Sequence, residues 1–446
     1  QVASEIDRMA AAVQHRGAIH VREVILRAGI ARLLRVVPVI GLHVEEFAEG
    51  AILHQRVGGL DHRVVAEHEA AGGDDPGLAH RGPPVQANPP PRPLKDLDTL
   101  PLPARDDGIA VRNGVGFATV AASRGCYHAC AFCLPCAMYR QSPGPTYRLR
   151  SVPNLLDEIE TLYHEGTRLF LFDDEQFLPP RPARAQRVDE LGAGLRRGGL
   201  EIALTIKCRP DDVDDGLFRQ LQAMGLIRVY LGVEAGNQPS LDRMAKGLTP
   251  SSAAEALALL DEIGIVADFR CLISHPWSTH DGIRADIEFL QQVAAHVSTP
   301  LSFREVICYP GTPLAAALAA EVGGEGAGWL LPYRIGDPSA ELLRRLARLV
   351  FGTRDAAGGL AERFSEAWFD VLLAQRFGRY PHAGRNRPLR TLVERLNRAS
   401  LGVWQEMISF TTGEDRYDAR QVNDCAARWA TQMRALSGSA IREIFH

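Results

Sequence analysis

Between residues 117 and 308, short apolar runs alternate with amphipathic stretches six times, and no other feature restricts the fold as tightly. The apolar runs lie at 117–122, 169–172, 202–206, 227–233, within 264–273, and near 301–308. Helical spacing fills the gaps at 152–164, 184–196, 216–224, 251–263 and 279–294, with Ser151 as cap and Pro153 in the first turn of the first. Strands that alternate with helices pair in parallel through crossovers. A closed eight-unit barrel needs two more units than this. The expected fold is therefore α/β: a partial six-unit parallel β/α barrel with an N-terminal accessory region and a helical C-terminal region.

The flanks are set by composition. Six prolines between Gly82 and Pro93 read as a linker, which places an accessory region with this linker at 1–94. Apolar residues from Val21 to Leu34 suggest a helix there, and the run 36–42 a buried strand that Pro38 weakens. The barrel with its junction is expected at 95–335. A helical region follows at 336–446, where Leu342, Leu343, Leu346 and Leu349 recur at helical spacing. A net charge of −4 gives no electrostatic reason for nucleic-acid binding. No apolar run reaches membrane-spanning length and no secretory pattern opens the chain, so a cytoplasmic location is the expectation.

Four of the eight cysteines crowd into one loop directly after the first barrel strand. Cys126, Cys130 and Cys133 follow C-x3-C-x2-C spacing, with Phe132 before the last of them. Thiolates are the usual ligands of iron–sulfur clusters, and three of them leave one iron of a cubane without a protein ligand. The loop also leaves a strand at its carboxyl end, where parallel barrels build their sites. Three readings compete: a structural zinc using Cys136 as fourth ligand, for which four thiolates within eleven residues are cramped; a Cys133-Leu134-Pro135-Cys136 thioredoxin-type redox pair, which no thioredoxin-like unit surrounds; and merely structural thiols. Cys136 is left unassigned. Cys208, Cys271, Cys308 and Cys425 read as small core hydrophobes.

The spacing, its place in the barrel and Phe132 resemble the radical S-adenosylmethionine superfamily, over roughly residues 116–313. The resemblance implies a 4Fe-4S cluster at Cys126, Cys130 and Cys133, whose open iron binds S-adenosylmethionine. It implies reductive cleavage to a 5′-deoxyadenosyl radical that abstracts hydrogen from a small-molecule substrate, and an external electron donor such as flavodoxin or ferredoxin. Later strand ends extend the likeness. Asp173-Asp174-Glu175 stands where many members bind the methionyl ammonium, and Lys207 and Arg209 where the cofactor carboxylate or ribose is met. Gly232-Val233-Glu234-Ala235-Gly236, Lys246-Gly247-Leu248-Thr249 and Tyr309-Pro310-Gly311-Thr312-Pro313 resemble the cobalamin-associated branch. Gly232, Glu234 and Tyr309 are accordingly expected at the cofactor.

One stretch departs from that pattern. Ser274-His275-Pro276-Trp277 replaces a Gly-x-Pro-x-Glu-Thr sequence, which makes His275 a candidate acid or base and Trp277 a candidate substrate contact. Asp268 and Glu305 are candidate partners for a cationic substrate. The passage 97–106 resembles a junction between a cobalamin domain and a radical barrel, yet the N-terminal region lacks an Asp-x-His-x-x-Gly motif. Cobalamin is thus left open. The first functional expectation is a cobalamin-independent dehydratase acting on an aminoglycoside sugar diol, similar to the radical diol dehydratase of the apramycin pathway. The alternative is a cobalamin-dependent radical methyltransferase on an antibiotic precursor. A zinc-stabilised scaffold without catalysis is the reading from another class.

Overall fold

Strands buried on both faces read as unbroken apolar runs, and the six runs do form six parallel strands. In the computed structural model the described residues are 42–47, 50–57, 60–61, 79–80, 86–87, 92–105, 108–322, 331–354, 359–378, 386–413 and 418–445. The chain divides into two compact units, Gln1–His68 and Glu69–His446. In the first, strands at Leu42–Phe47, Gly50–Val57 and Leu60–Asp61 form an antiparallel sheet. The helix expected around Val21 to Leu34, and all but the last residue of the run 36–42, lie outside the described residues.

The second unit opens its main sheet with β1 (Ala110–Arg112) and β2 (Val115–Val120). A side ladder of β3 (Ser123–Gly125) and β4 (Tyr147–Leu149) encloses the cysteine loop and α1 (Leu134–Gln141). The regular part runs α2 (Val152–His164), β5 (Thr167–Phe172), α3 (Arg181–Arg197), β6 (Ala203–Cys208), α4 (Asp215–Met224) and β7 (Leu226–Glu234). It continues with α5 (Gln238–Arg243), α6 (Pro250–Glu262), β8 (Val266–Ser274), α7 (His280–Val293), β9 (Phe303–Glu305) and α8 (Pro313–Val322). Four helices finish the chain: α9 (Pro338–Phe351), α10 (Leu360–Phe377), α11 (Asn386–Thr412) and α12 (Ala419–Phe445).

The sheet order is β9-β8-β7-β6-β5-β2-β1. The six strands from β2 to β9 are parallel neighbours in chain order, and only β1, an edge strand not expected from the sequence, is antiparallel. All five crossover helices (α2, α3, α4, α6 and α7) bury their apolar sides in one core, against Val120, Phe170, Ile206, Val229 and Phe269. Covering a single face leaves the other as the inner face of an open, partial barrel.

On that inner face the alternate residues Leu169, Ala203, Ile227 and Val266 form a second core with Phe364, Trp368 and Leu372 of α10. The C-terminal region therefore fills the amino-end half of the inner face as well as extending the outer core, where Leu343, Leu346, Trp404 and Trp429 are buried. Toward the carboxyl end the helices of this unit leave residues of the inner face exposed. Thr119, Asp173, Tyr230 and Arg270 are exposed there although each lies in or directly after a central strand. Cys208, Cys271 and Cys308 are buried.

Candidate active site

The cysteine loop is held from below before any ligand is considered. Gly125 has φ +86°, and the Cys126 N–H donates to Thr146 O at 3.0 Å. Farther along, Ala131 N–H donates to Met244 O at 2.8 Å, and Ala131 O accepts from Leu314 N–H at 2.9 Å. These bonds tie the loop to the turn after α5 and to the start of α8. Phe132 packs on the small core of Leu241, Met244, Leu248 and Val306, so its place ahead of Cys133 anchors the loop. The Tyr309 carbonyl accepts from the Thr312 hydroxyl at 2.7 Å, and Gly311 at φ +83° completes that turn.

Cys126 and Cys130 are buried and Cys133 is half-buried. The Cys136 thiol hydrogen-bonds to both Cys126 and Cys133. That bond draws the Cys126 thiol below its ordinary range and Cys133 down to about 7, and it pushes Cys136 itself far up. Burial raises Cys130, opposed by Lys246 and Arg209. Arg209 Nη1 lies 3.9 Å from Cys130 Sγ, and its other bonds go to Asp211 and to Lys246 O at 2.7 Å. Among the described residues no three His, Cys, Asp or Glu side chains are arranged to hold a single metal ion. A 4Fe-4S cubane would ask for three thiolates that each reach a different iron.

Glu234 and Lys246 meet beside Cys130. Lys246 is 6% exposed, and its Nζ donates to Glu234 Oε1 at 2.9 Å. Burial would lower the lysine, but Glu234 and Cys130 more than compensate and keep it charged. A Cβ on Gly232 would sit 2.8 Å from Lys246 Nζ, so the glycine makes room for the pair. Glu234 itself has φ +70°, an uncommon conformation for a side-chain-bearing residue.

The acidic triplet separates into three environments. Asp173 is exposed and ion-paired with Lys207. Asp174 is fully buried beneath the loop, where it accepts from the Ser123 hydroxyl and Ala122 N–H, and burial raises it to about 6. Glu175 Oε2 accepts the Gly125 N–H at 3.1 Å, next to Cys126. Asp173 and Glu175 thus remain near the loop, while Asp174 supports it.

Four expected substrate-side residues are each engaged by other groups of the chain. His275 is 3% exposed; its Nδ1 accepts the Trp277 N–H at 3.2 Å, so the proton is on Nε2, 2.9 Å from Ser240 Oγ. Burial lowers it to about 4. A neutral ring with both nitrogens engaged is a poor general acid or base. Trp277 stands at the rim, donating from Nε1 to Glu321 at 2.6 Å under the Arg243 guanidinium. Asp268 is paired with Arg228, which also reaches Ser365 of α10. Glu305 is bound by Arg344 and Arg348 of α9. Neither carboxylate is free for a cationic substrate.

A supporting carboxyl unannounced by any motif is Asp286 of α7, which accepts the Gly236 N–H at 2.6 Å. Burial pushes it from 3.8 up to about 7. Because the folded value lies above the unfolded one, its contribution to stability is complete below about pH 4 and is lost as pH rises toward 7. Asp286→Asn keeps an acceptor and cannot ionise. The expected result is a variant that melts higher than the wild type at about pH 8, a gap that closes near about pH 4. Parallel melting curves across that range would contradict the assignment.

Residues 120–276 match the model of the Radical SAM superfamily. The chain is 27% identical over 244 residues to an uncharacterized methyltransferase of Pyrococcus horikoshii, covering 53% of this chain and 50% of that protein. It is 26% identical over 197 residues to the hopanoid C-3 methylase of Methylococcus capsulatus, covering 44% and 35% respectively. Its fold resembles the solved cobalamin-dependent S-adenosylmethionine radical enzyme OxsB with aqua-cobalamin bound, with TM-score 0.53 at 16% identity over 73% of this chain and 54% of that one. The chain spans half or less of the length of the curated relatives it matches. No helix among the described residues is long and apolar enough to cross a membrane.

Proposed function

Since the chain carries a radical S-adenosylmethionine domain, we propose that it is a cobalamin-dependent radical methyltransferase acting on a small molecule. The observation that carries the radical reading is the placement of Cys126, Cys130 and Cys133 on a loop braced at the carboxyl end of a parallel sheet. Methyl transfer is favoured over dehydration by two curated relatives whose names are a methyltransferase and a methylase. No curated relative lends comparable support to loss of a hydroxyl from an aminoglycoside.

When bound, the reduced cluster supplies the electron that cleaves S-adenosylmethionine, and cobalamin supplies a methyl carrier. The chain's own groups bind and position. Cys126, Cys130 and Cys133 would each hold one iron of the cluster, which would leave the fourth to the cofactor. Arg209 and Lys246 offset negative charge beside Cys130. Glu175 offers a carboxylate to the methionyl ammonium, and the exposed Asp173–Lys207 pair would have to open to add a second, with Lys207 or Arg209 toward the cofactor carboxylate. Gly232 makes room for the Glu234–Lys246 pair beside Cys130, and the Tyr309 turn braces the far side of the loop. Reducing equivalents come from an external donor.

Anaerobic reconstitution tests the reading. The protein, given reductant and S-adenosylmethionine, should form 5′-deoxyadenosine, and S-adenosylhomocysteine should appear only when cobalamin is added. Formation of 5′-deoxyadenosine with no S-adenosylhomocysteine under either condition would return the choice to a cobalamin-independent reaction.

A further inference from the structure

One cation on the exposed part of the inner face is unmatched by the carboxylates around it. Asp173 has Lys207, Asp268 has Arg228, Glu234 has Lys246, and Glu305 has Arg344 and Arg348, while Glu175 beside Cys126 is held by the Gly125 N–H. Arg270 breaks the pattern. It lies two residues beyond Asp268 on β8, hence on the same face, and is exposed although β8 is an interior strand next to the β9 edge. Among the described residues its side chain makes no hydrogen bond, ion pair or ring contact.

Its surroundings suit a ligand. Tyr230 of the neighbouring strand is in register with Lys207 and Asp268, so it shares this face, and it is 42% exposed. The Arg228 guanidinium lies 4.9 Å from the Tyr230 ring centroid on the amino-end side. Toward the carboxyl end, Leu272 on the same face packs with Phe132 on the small core beneath the cysteine loop. The exposed part of this face thus runs from an unengaged guanidinium and a phenol ring up to the cysteines. A guanidinium fork pairs with a carboxylate or phosphate through two hydrogen bonds, and a ring beside it accepts a flat or apolar body. A polyamine would meet repulsion here.

We infer that the substrate carries an anionic group, carboxylate or phosphate, received by Arg270 with the adjoining part of the molecule against Tyr230. The inference rests on the radical reading above, in that the space below the cysteine loop is taken as the place of substrate.

Phenyl phosphate, benzoate and benzamidine serve as probes on the reconstituted, S-adenosylmethionine-loaded full-length protein, followed by ligand-observed NMR and calorimetry. Phenyl phosphate or benzoate should bind the wild type, the tighter of the two identifying the kind of anion. Arg270→Gln should weaken that binding at least about tenfold, Arg270→Lys should restore part of it, and Tyr230→Ala should weaken it several-fold. Circular dichroism should show the variants folded. Equal binding by wild type and Arg270→Gln, or preference for benzamidine, would overturn the inference. So would a tenfold loss of S-adenosylmethionine affinity in Arg270→Gln with phenyl phosphate binding intact, since Arg270 would then serve the cofactor. Failure to form 5′-deoxyadenosine, with Arg270-dependent anion binding retained, would remove the radical reading and leave the anion site standing. Formation of 5′-deoxyadenosine with Arg270-independent probe binding would do the reverse.

Discussion

Cys130→Ala is expected to abolish 5′-deoxyadenosine formation and to leave reconstituted protein with little bound iron. Cys130 is buried with Arg209 Nη1 3.9 Å from its Sγ, so its loss would remove a cluster ligand together with that contact. Losing a residue that merely supports a metal ligand typically costs about 10–100-fold in affinity or activity, and losing the ligand itself should exceed that. Cys136→Ala is the informative counterpart. If Cys136 only hydrogen-bonds to Cys126 and Cys133, iron should be retained; in a four-cysteine zinc site both substitutions would be equally damaging. Iron content and 5′-deoxyadenosine yield, measured side by side on the two variants, separate these outcomes.

Gly125→Ala should come close to the same loss with every cysteine in place. At φ +86° a side-chain-bearing residue costs about 1–3 kcal/mol. An added Cβ would also lie well inside contact distance of Thr146 O, the atom that accepts the Cys126 N–H. Relief requires moving β3 away from β4, which carries Cys126 off its position. Another bond that would suffer is Gly125 N–H to Glu175. A several-fold fall in iron per chain, with the overall melting transition preserved, is the expected result. Iron loading equal to wild type would show that the loop tolerates the shift and that its backbone does not position the ligands.

The parts of this fold that could be read in advance are those governed by local chemistry. The helix 152–164 appears at the expected residues because Ser151 Oγ accepts the Asn154 N–H at 3.2 Å and Pro153 sits where no donor is needed. The six parallel strands were legible because burial on both faces leaves no polar alternation to confuse with a helix. β1 was missed for the opposite reason: it is three residues long, at an edge, and Val111 is exposed. The cysteine spacing likewise identified the loop. Legibility ended wherever a side chain's partner lies far along the chain. Asp268 is matched by Arg228 and Glu305 by Arg344, pairings that depend on strand register and on how α9 packs. His275 looked like a proton carrier because its sequence neighbours gave no hint of Ser240. Asp286 and Arg270 lie inside a helix and a strand with no motif around them, and only the fold gives them meaning.

The central claim is that Cys126, Cys130 and Cys133 hold a 4Fe-4S cluster with one iron open to S-adenosylmethionine. Electron paramagnetic resonance of the reduced, reconstituted protein, recorded with and without S-adenosylmethionine, tests it most directly. The account predicts the signal of a reduced 4Fe-4S cluster whose shape changes when S-adenosylmethionine is added. A colourless zinc-bound protein, or a cluster signal that S-adenosylmethionine leaves unaltered, would contradict it.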